Sequence, residues 1–382
     1  MRGSIVRRGK SYSVVLDLGT DSSGKRRQKW HSGFRTKREA AAALAELVSS
    51  VNKGAYVPAS RQTLAEYVEE WLAAIAPTVR PGTHFSYARN LHAHVVSHVG
   101  STRLDAVDAG ALNGLYALLL TDGRRDGKGG LSPRTVRYTH AILHRAFKDA
   151  VRWGRLVRNP TDAADPPRAT SSASPDMVTW STGELRAFLD GVRGDRLAAA
   201  YVLLATTGMR RGEALGLRWA DLDLDHGQAA IRQTVIVVNH APALGTPKTA
   251  KGRRTVRLDK ATMAALREHR TQQAAERLQM GAGWTDHGLV FCRVDGGLLH
   301  PEQFSWAFGA LVRRLGLPRI RLHDLRHGWA TMALAAGVHP KVVQERLGHS
   351  TISVTLDAYS HVTAALHDDA AERVAGLVFG AR

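Results

Sequence analysis

Four short stretches hold residues whose types could do chemistry together. "TTGMRRGEALGLRW" sets Arg210 just beyond Gly208, at the start of a helix. "TPKTAKGRRTV" sets Lys248 on a turn-rich hairpin between two strands. "HDLRHGWATMALAAG" sets His323 and Arg326 one turn apart, on one face near a helix start, with Leu325, Trp329 and Met332 as anchors on the other side. "LGHSTISVTLDAYSHV" sets His349 behind Gly348, a good left-handed helix stop, and carries Tyr359 ten residues further on. An arginine fork matches two oxygens of a phosphate and stays charged. Lysine can give a proton and histidine can take one. A phenol of pKa near 10 attacks only where a base or a cationic pocket favours the phenolate. The set suits attack by a hydroxyl on an anionic ester.

Singly, each piece also has a plain reading. An arginine at a helix start is usually solvated, a Gly-His-Ser is usually a helix stop, and one tyrosine is more often packing than nucleophile. Lys251, Arg253 and Arg254 stand beside Lys248 and compete with it for any role. The order and joint presence of the residues carry the argument.

The rest of the chain must position this set. The 382 residues allow two or three domains with ample core. With 53 Lys+Arg, 34 Asp+Glu and a net charge of +19, the expected partner is a polyanion, nucleic acid first. No apolar run approaches the roughly 18 residues of a membrane span, and the start lacks a signal-peptide core. One cysteine, Cys292, excludes an intrachain disulfide framework and a cysteine-rich zinc site, so a cytosolic compartment is expected.

Residues 1–55 read as three short basic strands followed by a helix capped by Thr36. Between Arg2 and Lys53 lie 12 Lys+Arg against 4 acids, so this seventh of the chain carries +8 of the charge. Such a sheet can lie in a DNA groove, with Arg7, Arg8, Lys25, Arg26 and Arg27 as candidate contacts. Residues 61–160 read as helical: "TLAEYVEEWLAAIA", a helix from Pro81, one capped by Asp108 and one capped by Ser132 with Pro133 in its first turn. Arg80, Arg134 and Arg137 are placed there for phosphates. Residues 161–176 lack large apolar side chains and read as the linker. Residues 177–382 mix helices with strands expected at "AAIRQTVIVVN", "RRTVRL" and "GLVFCRV". The fold class is therefore mixed α+β and multidomain, with a small antiparallel sheet in a mainly helical last domain.

Metal is not expected. "DLDLDHG" (221–227) has His226 and Arg232 where a calcium loop needs glycine and an acid. His323 and His327 have a zinc helix's spacing without its glutamate, with Arg326 between them.

Together, Arg210, Lys248, His323, Arg326, His349 and Tyr359, in this order and inside "TGMRRGEALGLRW", "HDLRH", "LGHS" and "YSHV", resemble the tyrosine recombinase (phage integrase) family. The resemblance covers the C-terminal half by motif, and the helical and N-terminal domains by pattern and position. It implies a site-specific recombinase, without cofactor or metal, that cleaves and rejoins DNA through a 3′-phosphotyrosyl bond to integrate or excise a mobile element. Tyr359 would be the nucleophile, and Arg210, Arg326 and His349 would hold the phosphate. His323 would be the base, Lys248 the acid, and Glu213 would position Arg210. Residues 1–55 would bind arm-type sites, 61–160 the core site, and 177–382 would be catalytic. The partners implied are double-stranded attachment sites, a tetramer of the chain itself, a directionality factor and a host DNA-bending protein, all in the cytoplasm at the nucleoid. The rival readings are a type IB topoisomerase, which shares this active-site logic, and a DNA-binding regulator without catalysis.

Overall fold

The computed structural model describes residues 3–20, 24–52, 57, 60–168, 178–247, 252–349, 351, 375 and 378–380. Lys248 and Tyr359 lie outside them. The chain divides into two compact units, Met1–Ser171 and Ser172–Arg382.

The first unit opens with an antiparallel sheet in the order β1 (Gly3–Arg8), β2 (Ser11–Thr20), β3 (Arg26–Phe34). The pairings Gly3↔Leu16, Ile5↔Val14 and His31↔Val14 place one strand face against helix α1 (Lys37–Asn52). Val14, Leu16 and Ala40 are fully buried there, and Gly3 packs against the Leu44 side chain. Thr36 caps α1, its Oγ1 accepting from the Glu39 N–H at 3.1 Å. The opposite sheet face carries Arg8, Gln28 and Trp30. The Arg8 guanidinium lies 4.6 Å from the centre of the Trp30 ring, an exposed cation on an exposed aromatic plane.

The helical part begins with α2 (Leu64–Ile75), closed by a capping box between Thr63 and Glu66. Leu64, Tyr67, Val68, Trp71, Leu72 and Ile75 are all buried, as their spacing predicts. Helix α3 (Pro81–Leu91) runs through a π turn (His92–Val96) into the short α4 (Ser97–Val99). Helices α5 (Ala109–Asp122) and α6 (Pro133–Arg152) take their caps from Asp108 and Ser132. Tyr67 donates to the Ala146 carbonyl at 2.6 Å and Trp71 to Asp149 at 2.9 Å, locking α2 to α6. Residues 161–165, expected as linker, are folded here instead. Pro160–Ala163 form a 3₁₀ turn with Thr161 buried, and the Asp165 N–H donates to Asn113 at 2.7 Å. Asn159 supplies the cap, a local signal that the small-residue composition masks.

The second unit packs α7 (Thr182–Gly191), α8 (Ala198–Thr207), α9 (Arg211–Leu215), α10 (Lys260–Met280) and α11 (Pro301–Arg314) around a core with Trp180, Phe188, Tyr201, Phe304 and Phe308 at its centre. α12 (Asp324–Ala335) and α13 (Pro340–Leu347) follow. Its sheet has the order β4 (Leu222–Asp223), β5 (Gln228–Ile231), β8 (Arg254–Arg257), all antiparallel. The run "AAIRQTVIVVN" is broken at Arg232–Gln233. Its second half, β6 (Thr234–Val238), forms a separate hairpin with β7 (Ala241–Gly245). Lys248 therefore belongs to the connection from β7 to β8. "GLVFCRV" makes only an isolated bridge, Leu289 with Arg218. Beyond the Gly288 carbonyl, which accepts from the Trp219 N–H, its carbonyls go to side chains: Val290 to His269 and Gln273, Cys292 to Arg196. A strand partner is thereby unnecessary.

Candidate active site

The site is built where two left-handed glycines end two helices. Gly208 (φ 65) stops α8 and Gly348 (φ 67) stops α13. At Gly208 a side chain would also strike Leu347 and Trp329, so the two helix ends approach as closely as glycine permits.

Arg210 caps α9 in an extended conformation. Its backbone N–H donates to Glu213 Oε2 at 3.0 Å and its Nη1 to Glu213 Oε1 at 2.8 Å, while Nη2 reaches the Gly348 carbonyl at 3.1 Å. Arg326, on the first turn of α12, is almost wholly buried. Its Nη1 donates to the Gly208 carbonyl and its Nη2 to the Leu347 carbonyl, both at 2.7 Å. His349, also buried, follows directly, its N–H donating to the Gln344 carbonyl at 3.1 Å. His323 precedes α12 with its ring 5.0 Å from that of His327. Arg210, His323, Arg326 and His349 thus gather from three separate chain stretches at one end of α13. Glu213 is buried beside them, and its carboxyl is held below the usual range. Burial pushes its pKa up, but Arg254 and then Arg210 outweigh that.

Arg254 is the residue that sequence reasoning missed. In the sequence it is one of several cations near Lys248, and only the fold distinguishes it. Arg254 donates to Glu213 through Nη1 (3.1 Å) and Nη2 (2.9 Å). Arg346 is likewise folded inward, over the Trp329 ring at 5.0 Å and onto the Arg257 carbonyl at 2.9 Å.

Burial, and then the nearby cations, depress the histidines. His349 is pushed down to about 4 by burial and then by Arg326 and Arg210. His323 is also pushed down to about 4, by surrounding protein and then by His327 and Arg326. At neutral pH both imidazoles are therefore neutral. An unfolded chain takes up these protons near the usual 6.5, the native site only near 4. The stabilisation is complete above the first value and is lost as pH falls towards the second. Thermal melting of the second unit should therefore drop steeply across that window. His349→Gln should flatten the drop, and an unchanged profile in that variant would remove His349 from the account.

Beside Arg210 and His323 a groove opens, walled by Arg211, Arg313, Arg319 and Arg321. Its charge matches a phosphate backbone. Among the described residues no cluster of three or more His, Cys, Asp or Glu could hold a metal ion, and no helix is long and apolar enough to cross a membrane.

The other expected DNA contacts sit on the first unit. Arg7 lies over the Tyr12 ring at 6.0 Å, and Arg26 is paired with Asp17 at 2.6 Å although exposed. Lys25 precedes β3, and Arg27 is on it. Arg80 caps α3 and is exposed, as are Arg134 and Arg137 on α6.

Residues 184–365 match the phage integrase family, and residues 4–51 match an arm DNA-binding domain. A "Tyrosine recombinase XerC-like" protein of Caldanaerobacter subterraneus is 28% identical over 375 residues, 94% of either chain. The integrase of Saccharopolyspora erythraea is 25% identical, covering 96% of this chain and 94% of its own. Among solved structures, the Tn1549 transposon integrase in complex with transposon right end DNA superposes with a TM-score of 0.67 at 22% identity, over 82% of this chain and 99% of that one. A lambda integrase tetramer bound to a Holliday junction gives 0.53 at 15% identity, over 91% and 96%. At these identities the two structures speak for the fold.

Proposed function

From a chain that carries a phage integrase family domain behind an arm DNA-binding domain, we infer a site-specific DNA recombinase that integrates or excises a mobile element. The observation that carries the mechanism is the convergence of Arg210, Arg326 and His349 on the end of α13. Metal-free attack on a phosphodiester needs positive charge where the phosphoryl oxygens gain negative charge. Two guanidinium groups and one imidazole N–H supply it. The Tyr359 oxygen attacks phosphorus, and the bond from phosphorus to the 5′-oxygen breaks. His323, neutral at rest, takes the phenol proton, and Lys248 gives one to the departing 5′-oxygen. One ester replaces another, so no bond energy is lost and the 5′-hydroxyl of a second duplex can reverse the step. An arriving phosphate brings negative charge and raises the depressed histidine pKa values, which makes His323 a stronger base once DNA is bound.

The same reading divides the labour along the chain. Residues 1–55 bind arm-type sites, 61–165 clamp the core site, 166–176 link, and 177–382 cut and rejoin. Its partners are two double-stranded attachment sites held by four copies of the chain, with a directionality factor and a host DNA-bending protein, in the cytoplasm.

A nicked suicide substrate tests the reading. Covalent adduct with joining to a second duplex supports the recombinase. Adduct with relaxation of supercoils alone supports a topoisomerase, and no adduct supports a DNA-binding regulator.

Deleting residues 1–55 should separate two activities. Cleavage at a core site should persist, because Arg210, His323, Arg326, His349 and Tyr359 all remain. Integration between full attachment sites should fall at least tenfold once the arm-type sites are no longer held. The slope of log affinity against log salt should flatten by roughly 0.9 for each phosphate that is no longer neutralised. Full integration by the shortened chain would refute the arm assignment.

A further inference from the structure

The last carbonyls of a helix have no donor within it and carry the negative end of its dipole. At the end of α13 three successive carbonyls are taken by three arginines from three different elements. Arg346 O accepts from Arg254 Nε at 2.7 Å, Leu347 O from Arg326 at 2.7 Å and Gly348 O from Arg210 at 3.1 Å. Two of these arginines belong to the phosphate-holding set. The third, Arg254, opens β8 and has no place in the reaction.

Arg254 spends its donors on three partners, the weakest being the Gly252 carbonyl, 3.3 Å from Nη1. Nε holds α13, while Nη1 and Nη2 form a two-pronged contact with the carboxylate of Glu213 on α9. Its side chain is 9% exposed and that of Glu213 5%. Glu213 in turn holds the Arg210 guanidinium and its backbone N–H. The charged groups facing Glu213 are thus Arg210 from the start of α9 and Arg254 from β8. One planar guanidinium ties together the residue that aims Arg210 and the helix end that delivers His349.

We propose that Arg254 is a positioning residue for strand cleavage, setting Arg210 through Glu213 and His349 through the Arg346 carbonyl. The proposal rests on the recombinase reading above. Its chemistry is specific to arginine, since an ammonium cannot fork onto a carboxylate and reach a third acceptor at once. Its consequence is also specific. With Arg254 gone, burial acts on Glu213 against Arg210 alone, and the carboxyl becomes harder to ionise.

The test is single-turnover adduct formation on the nicked substrate by Arg254→Met, Arg254→Lys, Glu213→Gln and the Arg254→Met/Glu213→Gln double variant, followed across pH. Arg254→Met is expected to cleave roughly 100-fold more slowly, the scale of a misplaced catalytic group, while half-site affinity stays within about twofold. Its rate should climb with pH as Glu213 ionises, a limb the unaltered protein lacks. In the Glu213→Gln background the same change should cost far less. Arg254→Lys should recover part of the rate. A rate like that of the unaltered protein in Arg254→Met overturns the proposal, as does a loss equal at every pH and additive with Glu213→Gln. If Arg254→Met does not fold, Arg254→Lys decides: an undiminished rate there overturns the proposal. Failure of the unaltered protein to form adduct would instead sink the recombinase reading.

Discussion

Tyr359→Phe is expected to bind an attachment-site duplex as tightly as the unaltered chain and to form no covalent adduct with it. The substitution keeps the ring and removes one oxygen, so the loss falls on the chemical step alone. Its size should be at least ~1,000-fold, because the phenol oxygen is the attacking atom itself. The buried tyrosines support this. Residues 172–382 contain only Tyr201 besides Tyr359. Tyr201 is buried in the aromatic core, stacked on Phe304 with centroids 5.1 Å apart, and burial pushes its pKa up. Tyr67 and Tyr116 are shifted the same way and are tied to Ala146 and His140. A buried phenol that is harder to ionise is a poor nucleophile. Gel-shift and denaturing-gel assays on the same nicked substrate separate binding from adduct. An adduct that survives in Tyr359→Phe would place the nucleophile elsewhere.

What can be read in the sequence is whatever local chemistry dictates. Thr36, Asp108 and Ser132 cap the helices expected of them, because a short oxygen-bearing side chain before an apolar repeat has few other uses. Gly208 and Gly348 stop helices because their φ values favour glycine. What escapes is decided by distant partners. "GLVFCRV" has the composition of a strand, yet most of its carbonyls go to His269, Gln273 and Arg196, which lie 16 to 97 residues away. Arg254 looks like its neighbours until Glu213, 41 residues earlier, and Arg346, 92 residues later, close on it. Helical spacing alone places Glu213 with Arg210; its second partner needs the fold. Composition hides the turn at Pro160–Ala163, where one asparagine cap outweighs the small residues around it.

Arg210→Lys should keep both the fold and the affinity for DNA, yet cleave roughly 100- to 1,000-fold more slowly, the usual loss when one donor to a developing oxyanion is removed. The fold survives because the cap of α9 uses the backbone N–H of residue 210, which donates to Glu213 at 3.0 Å whatever the side chain. Affinity survives because the positive charge is retained and counterion release counts charges. The chemistry suffers because of geometry. The Arg210 guanidinium lies between Glu213 at 2.8 Å and the Gly348 carbonyl at 3.1 Å, and its plane is set by both. A lysine ammonium has a single nitrogen. Drawn to the Glu213 carboxylate, it is withdrawn from the phosphate; drawn to the phosphate, it leaves Glu213 with Arg254 alone. In neither position does it present two parallel N–H groups to two phosphoryl oxygens. The side chain is 41% exposed, so no buried cavity is created and the melting temperature should move little. Measured together, unchanged melting, unchanged half-site affinity and a collapsed cleavage rate would assign Arg210 to the transition state. A cleavage rate within about threefold of the unaltered protein would reduce Arg210 to a surface cation that happens to neighbour the site.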